Sequence, residues 1–312
     1  MKVDARVTAM VPTMSRPREL AACFDSLLAG EIVPAEVVVV DASRDDPTAK
    51  LVDQAAAKVR AVRFVYERVA PGRPAQRNLA LGRMSRELLL FLEDDCVYEP
   101  AFLKELTRAL DETGADGACG LITNQPRPSR WVGFLQWFYR QVRYARRSFY
   151  QRSGLPTYLY RPAAPAPVEV LSGGLCLVRR AALEGFRFDE RITYFDDDDL
   201  SLALVRRGAR LLLWPPARCE HRPAESGRIS LPKRARRLIL EQRLLHRRHF
   251  PQSFANVAAF YYSALGAAAM AALRLKPRLW WASLLGLWDV VRTDDGRRPE
   301  RALHPGHLPR PE

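Results

Sequence analysis

Three carboxylates stand side by side in the stretch FLEDDCVYEP, where Glu93, Asp94 and Asp95 follow an apolar run and precede a proline. Like charges about 4 Å apart repel by roughly 4 kcal/mol at an effective dielectric of 20. Such a triplet either turns to solvent as an acidic loop or shares a divalent cation. Mg2+ and Mn2+ favour carboxylate oxygens and commonly complete their shell with a substrate's phosphate. At a strand end alternate residues point the same way, so Glu93 and Asp95 can aim at one ion. A second cluster, Asp196–Asp199, precedes Leu200, Leu202 and Leu204. One or two acids there would cap a helix and suit its dipole. Four leave at least one for other work, such as general-base removal of a proton from an attacking hydroxyl. A lone acid, Asp41, closes the apolar run AEVVVVDAS.

Positioning these groups falls to an alternation of strands and helices. Val7–Val11 reads as a strand ending at Pro12, and Arg18–Leu28 as a helix with Leu20, Phe24, Leu27 and Leu28 on one face. AEVVVVDAS, VRFVYE and ELLLFLEDD read as further strands, separated by helices over Ala49–Lys58 and Pro74–Leu81. Strands that are apolar throughout predict a mostly parallel sheet covered on both faces. Ligands of such sheets bind beyond the carboxyl ends of the strands, where Asp41 and the Glu93–Asp95 triplet both fall.

The order of seven short motifs resembles that of family 2 glycosyltransferases of the GT-A fold, an α/β class with a Rossmann-like sheet. They are VPTMSRPREL, VVVVDAS, GRPAQRN, FLEDD, LSGGLCLVRR, FDERITYFDDDDLSLALVRRG and CEH. The likeness covers roughly residues 5–225. It implies an inverting, metal-dependent transfer of sugar from a nucleotide-diphosphate donor, UDP- or dTDP-linked, with Mg2+ or Mn2+ as cofactor. Asp41 would bind the base, with Pro12, Ser15 and Arg16 lining the same pocket. Arg77, Asn78 and Asp94 would hold the nucleotide, and Gly173 and Gly174 would let backbone approach the sugar. Glu93 and Asp95 would form the metal motif, with Glu93 standing where Asp is usual, and His221 would complete the metal or diphosphate site. Asp197 would be the catalytic base, with Asp198, one residue on, as the alternative. Asp196 and Asp198 would lie on the acceptor side.

Two other classes compete. A nucleotidyltransferase would also use carboxylates and a metal on an open sheet, but VPTMSRPREL contains no glycine for a phosphate-cradling loop. A non-catalytic basic protein that binds nucleic acid or anionic lipid gives no reason for three acidic positions at one sheet edge. A dinucleotide-binding dehydrogenase is disfavoured, since no GxGxxG follows the first strand. The five cysteines include no CxxC pair, which predicts neither structural zinc nor a disulfide framework. The N-terminus lacks the long apolar core of a signal peptide, and a cytoplasmic location is expected.

Net charge is +14, carried mostly by arginine, which favours anionic partners. Trp131–Tyr150 interleaves aromatics with Arg140, Arg143, Arg146 and Arg147. After about residue 230 a basic helix leads into Phe254–Leu273, which carries no charge and is long enough to cross a bilayer. Arg243, Arg247 and Arg248 precede it, and Arg274, Lys276 and Arg278 follow. A single crossing would strand one basic cluster on the wrong side. The sequence therefore predicts a catalytic domain over 1–230. A basic and apolar helical region over 231–312, ending in a polar tail, would lie against the cytoplasmic face of an anionic membrane. The acceptor would be a glycan or a lipid-linked molecule, and nucleic acid is not expected as a partner.

Overall fold

The computed structural model describes residues 2–126, 129–141, 143–224 and 229–294. The polar tail expected at the C-terminus lies outside the described residues. The chain begins β1 (Lys2–Thr13), α1 (Pro17–Leu28), β2 (Ile32–Asp41), α2 (Pro47–Lys58), β3 (Arg63–Arg68), α3 (Arg73–Arg83) and β4 (Leu88–Leu92). It continues with β5 (Cys96–Tyr98), α4 (Phe102–Thr113), β6 (Gly117–Ile122), α5 (Arg130–Phe138), β7 (Tyr144–Ala145), β8 (Tyr158–Leu159) and β9 (Ala166–Val168). Then come β10 (Leu175–Arg179), α6 (Asp196–Arg206), β11 (Leu211–His221), α7 (Leu231–His249), α8 (Phe254–Leu273) and α9 (Pro277–Asp294).

Two compact units share these elements. One comprises 1–125, 161–188 and 200–227, the other 126–160, 189–199 and 228–312. The division is thus interleaved, unlike the single boundary near 230 that the sequence suggested. The physical reason lies in the second unit: Thr193 and Tyr194 donate their backbone N–H to Glu241 of α7, and Gln141 donates to Ser263 of α8.

The first unit is built on a nine-stranded sheet in the order β3-β2-β1-β4-β10-β6-β11-β5, with β9 pairing β11. It is parallel from β3 through β4. Beyond that it is mixed, because β10 runs antiparallel between β4 and β6. Val37–Val40 are all buried, which explains why this run of β2 is apolar at successive positions rather than alternately. Val7, Val37, Val39, Leu88 and Leu90 pack with Leu20 and Phe24 of α1, Val52 of α2, and Leu103 and Leu106 of α4. Their neighbours Met10, Val38, Leu89 and Phe91 point the other way and are equally buried. Because β1, β2 and β4 are parallel, their carboxyl ends share one edge, with Thr13 in register with Asp41.

In the second unit, Ile239 and Leu240 of α7, Phe260 and Ala264 of α8, and Val290 of α9 form a small core. Segment α5 is fastened to α8: Tyr262 donates to the Phe138 carbonyl at 3.0 Å, and Gly266 packs so closely on the Tyr139 side chain that a Cβ there would collide with it.

Candidate active site

The edge of the first unit's sheet gathers most of the residues singled out above. Asp41, fully buried, ends β2. One of its oxygens accepts from the backbone N–H and hydroxyl of Ser43, the other from Tyr66 at 2.8 Å. The Ser43 hydroxyl in turn accepts from the backbone N–H of Ser15 at 2.7 Å. Ser15 sits in the left-handed region with φ 54°, which turns the chain sharply after Thr13. Pro12 is buried within β1 opposite Val40. Gln76, buried on α3, donates to the carbonyls of Thr13 and Val40 at 2.9 and 2.7 Å. It thereby ties the ends of β1 and β2 together, adding to the Ala42 N–H bond that the Thr13 carbonyl already accepts at 2.9 Å.

The triplet resolves into three different environments. Asp94 is buried, accepts from the Thr13 hydroxyl at 2.7 Å and pairs with Arg16 at 3.2 Å. Burial wins over these partners and pushes its carboxyl up to about 6. For Asp95 burial also pushes upward, but His221, the Ala224 N–H and Arg16 outweigh it and hold the carboxyl below its usual range. Asp95 therefore stays ionised where a cation would need it. Glu93 follows the face of Leu89 and Phe91 and meets α3, with Arg73 at 3.4 Å and Arg77 at 3.9 Å. The Arg77 guanidinium is buried over the Phe188 ring and reaches the Gly173 carbonyl at 3.4 Å.

His221 joins this group through strand pairing. The antiparallel register of β5 and β11 sets His221 opposite Cys96, next to Asp95, and its Nε2 lies 3.3 Å from Asp95 Oδ1. Donor atoms of Glu93, Asp95 and Cys96 fall within 4.8 Å of one another. Cys96 is part of the apolar core, and its hydrogen bond with Cys219, aided by burial, pushes its thiol well up. It offers no thiolate. The Glu93 and Asp95 carboxylates remain, oxygen donors that suit Mg2+ or Mn2+, and His221 adjoins them through Asp95. Gly174 packs closely here, since a Cβ would sit 2.9 Å from Glu93 Cγ and would have to move that side chain. Tyr98 fastens the same turn by donating to the Gly174 carbonyl at 2.9 Å.

Asn78 stands apart from this arrangement. Its amide donates to the Phe188 carbonyl at 3.0 Å and accepts from the Phe188 N–H at 2.8 Å. It also lines a cleft of about 770 Å3 with Leu81, Met84, Arg179 and Phe186. That cleft contains none of the acidic strand-end residues. Ser43, Tyr66, Gln76 and Tyr98 were not singled out from the sequence. Gln76 lies inside the motif GRPAQRN, and its place in that motif was the available signal.

The second acidic cluster belongs to the second unit. Asp196, Asp198 and Asp199 are buried and Asp197 is partly exposed. Asp198 accepts from the Tyr150 hydroxyl at 2.9 Å. Burial, reinforced by the charges of Asp197, Asp196 and Asp199, pushes its carboxyl well up. Asp199 is spent on structure: it accepts from His249 at 2.6 Å, Arg248 at 3.1 Å and the Asp189 N–H at 3.2 Å.

Comparisons with known proteins agree with this architecture. A mannosyltransferase from Pyrobaculum calidifontis, solved with GDP-Man and Mn2+, superposes with a TM-score of 0.59 at 19% identity, covering 94% of this chain and 88% of that one. The S. aureus TarS 1-349 structure with UDP-GlcNAc gives 0.58 at 16% identity, covering 97% and 84%. The likeness establishes a GT-A fold. "Glycosyltransferase GlyA" of Streptococcus pneumoniae serotype 4 is 27% identical over 120 residues, 38% of this chain and only 17% of that protein. The model for "Glycosyltransferase like family 2" matches residues 5–239, and the chain belongs to that family.

Proposed function

We propose that the protein is a divalent-cation-dependent, inverting glycosyltransferase. It moves a hexose or deoxyhexose from a nucleotide-diphosphate sugar, UDP- or dTDP-linked, to an acceptor hydroxyl. Family membership favours glycosyl over nucleotidyl transfer. The observation that carries the reading is the meeting of Glu93 and Asp95, with His221 on Asp95 and with Arg16, Arg73 and Arg77 around them, at the carboxyl edge of the parallel strands β1, β2 and β4. A cation held by Glu93, Asp95 and His221 would supply Lewis-acid stabilisation of charge on the leaving diphosphate.

The chain's own residues account for the remaining chemistry. Asp41, Ser43 and Tyr66 form the wall that receives the base, beside Pro12 and Ser15. Arg16, Arg73 and Arg77 place fixed positive charge around the diphosphate, and Asp94 holds Arg16 in place. Gly173 and Gly174 admit the sugar to the backbone. Asp197 takes the proton of the acceptor hydroxyl as that oxygen bonds to the anomeric carbon and the bond to the diphosphate oxygen breaks. One displacement inverts the centre and leaves no covalent enzyme intermediate. Asp198 is the poorer base, because it is buried and already accepts from Tyr150, whereas Asp197 is partly exposed. Asp196 and Asp198 shape the acceptor side.

The acceptor is assigned to cell-envelope or lipid-linked glycan synthesis at the cytoplasmic membrane face. Among the described residues, every large apolar side chain that is strongly exposed belongs to the second unit, including Trp131, Phe134, Trp137, Trp281 and Trp288. By length and composition α8 could cross a membrane, with 33% of its apolar window buried. Its Phe260 and Ala264 pack on α7, whose Arg243 and His246 lie against the Phe260 ring and whose Glu241 is also buried. A crossing would carry those charges into hydrocarbon, so in-plane contact fits better.

The test is thermal stability with UDP, dTDP, GDP and CDP, each with and without Mn2+. A stabilisation by one nucleotide that requires both Mn2+ and Asp95 is expected. No shift with any nucleotide would overturn the donor assignment.

A further inference from the structure

The 189–199 segment is held at two places by one helix. Ahead of the acidic cluster, the backbone N–H groups of Thr193 and Tyr194 both donate to Glu241 Oε2, at 2.8 and 2.5 Å. Arg237 pairs with the other Glu241 oxygen and donates to the Thr193 hydroxyl at 2.8 Å. The guanidinium groups of Arg234 and Arg237 lie over the Tyr194 ring at 5.2 and 5.9 Å. Behind the cluster, Asp199 is bound by His249 and Arg248, and Arg248 also reaches Asp189 at 3.4 Å. Glu241 and His249 are two helical turns apart on α7, about 12 Å. Both are buried, at 1% and 6% exposure, as is Asp199 at 0%. Buried charges with partners this close are costly to separate.

Between the two attachments lie only Phe195, Asp196, Asp197 and Asp198. That stretch is further fixed by the Asp199 N–H bonding the Phe195 carbonyl at 2.8 Å and by Tyr150 on Asp198. Four residues spanned from both ends have little freedom. We propose that Glu241 and His249 are positioning residues for the base: α7 belongs to the catalytic machinery, and its register sets where the Asp197 carboxylate stands. The inference rests on Asp197 being the base. Neither residue touches substrate in this assignment, and the nucleotide and metal residues all lie in the other unit.

The experiment pairs Glu241→Ala with Glu241→Gln, and His249→Ala with wild type, in the full chain. Two readouts are taken: steady-state transfer, and hydrogen exchange of the 189–199 amides. Glu241→Ala should lower kcat by roughly 10- to 100-fold, the cost of a base misplaced by about an ångström. The donor KM and UDP or dTDP binding with Mn2+ should stay within about twofold. The Thr193 and Tyr194 amides should exchange faster. Glu241→Gln, which keeps an acceptor for both amides, should restore most of kcat. His249→Ala should lower kcat with the same unchanged donor KM. An unchanged kcat in Glu241→Ala overturns the proposal, as does parallel loss of nucleotide binding in both Glu241 variants, which would make Glu241 a residue of the fold. Failure of the function itself looks different: wild type would transfer no sugar, and exchange at Thr193 and Tyr194 would still report whether Glu241 holds the segment.

Discussion

His221 Nε2 stands 3.3 Å from Asp95 Oδ1, although 126 residues separate them in the chain, because β5 and β11 pair in a register that places His221 opposite Cys96. The same segment wraps the aspartate further, with the Arg222 N–H on its carbonyl at 2.8 Å and the Ala224 N–H on its carboxylate at 3.2 Å. Asp95→Ala should therefore abolish Mn2+-dependent nucleotide binding, and His221→Ala should weaken it by roughly 10- to 100-fold. Titration of UDP or dTDP with and without Mn2+ checks both. Unchanged metal dependence in Asp95→Ala would remove it from the ligand set.

Much of the first unit was legible in the sequence, and the reason is burial. Val37–Val40 read as a strand covered on both sides, and its termination at Asp41 marked the carboxyl edge of the sheet. The direction of LSGGLCLVRR was not legible, since an apolar run does not say whether it pairs parallel or antiparallel; β10 made the second half of the sheet mixed. Asn78 followed Arg77 in a motif, but successive helical residues point about 100° apart. Arg77 reaches Glu93 and lies over the Phe188 ring, whereas Asn78 is taken up by the Phe188 backbone. The acids of 196–199 read in part as helix caps, while the partner of Asp199, His249, lies 50 residues on. Contacts of that range leave no local pattern, which is also why the interleaving of the two units was not foreseen.

Gly174 supports a prediction from space alone. A Cβ there would meet Glu93 Cγ at 2.9 Å and Cδ at 3.0 Å, so Gly174→Ala must displace the Glu93 side chain from its place beside Arg73. Overpacking of this kind costs about 1–3 kcal/mol. The expected result is a lower melting temperature together with weaker Mn2+-dependent nucleotide binding. Full retention of both would mean that the turn yields freely.

Asp198 makes a prediction about pH. Its folded-state carboxyl is raised, so the native chain binds a proton there that the unfolded chain releases near the ordinary Asp value of about 3.9. The group's stabilising contribution is complete below that value and is lost as pH rises through the raised native one. Asp198→Asn keeps an acceptor for Tyr150 and removes the titration. Urea unfolding across pH 4 to 8 should show a smaller loss of stability with rising pH in the variant than in wild type. Parallel curves would show that Asp198 is already ionised in the native state.

Asp197 is the partly exposed member of a cluster whose other three carboxylates are buried. Asp197→Asn preserves size and hydrogen-bonding capacity and removes only the basic function. Transfer should fall by roughly 100- to 10,000-fold, with nucleotide and Mn2+ affinity unchanged. Product measured by mass after single-turnover reaction decides the point. Retained transfer in Asp197→Asn, with loss in Asp198→Asn, would move the base by one residue.

The exposed stripe of α5 makes the final case. Trp131, Phe134, Trp137 and Phe138 are each at least half exposed, and Arg140, Arg143, Arg146 and Arg147 follow within the next nine residues, all exposed. Aromatic rings beside arginines suit the boundary between acyl chains and anionic headgroups. The fastening of Tyr139 and Phe138 to Gly266 and Tyr262 ties this stripe to α8, whose Tyr262 and Leu265 are also exposed. The protein should float with phosphatidylglycerol vesicles and bind phosphatidylcholine vesicles weakly. Replacing Trp131, Phe134 and Trp137 together by Ser should reduce flotation by roughly tenfold or more without altering nucleotide binding, because apolar insertion contributes about 25 cal/mol per Å2. Alkaline carbonate should release the wild-type chain from membranes, as an in-plane attachment requires. Resistance to carbonate would instead assign α8 to a crossing.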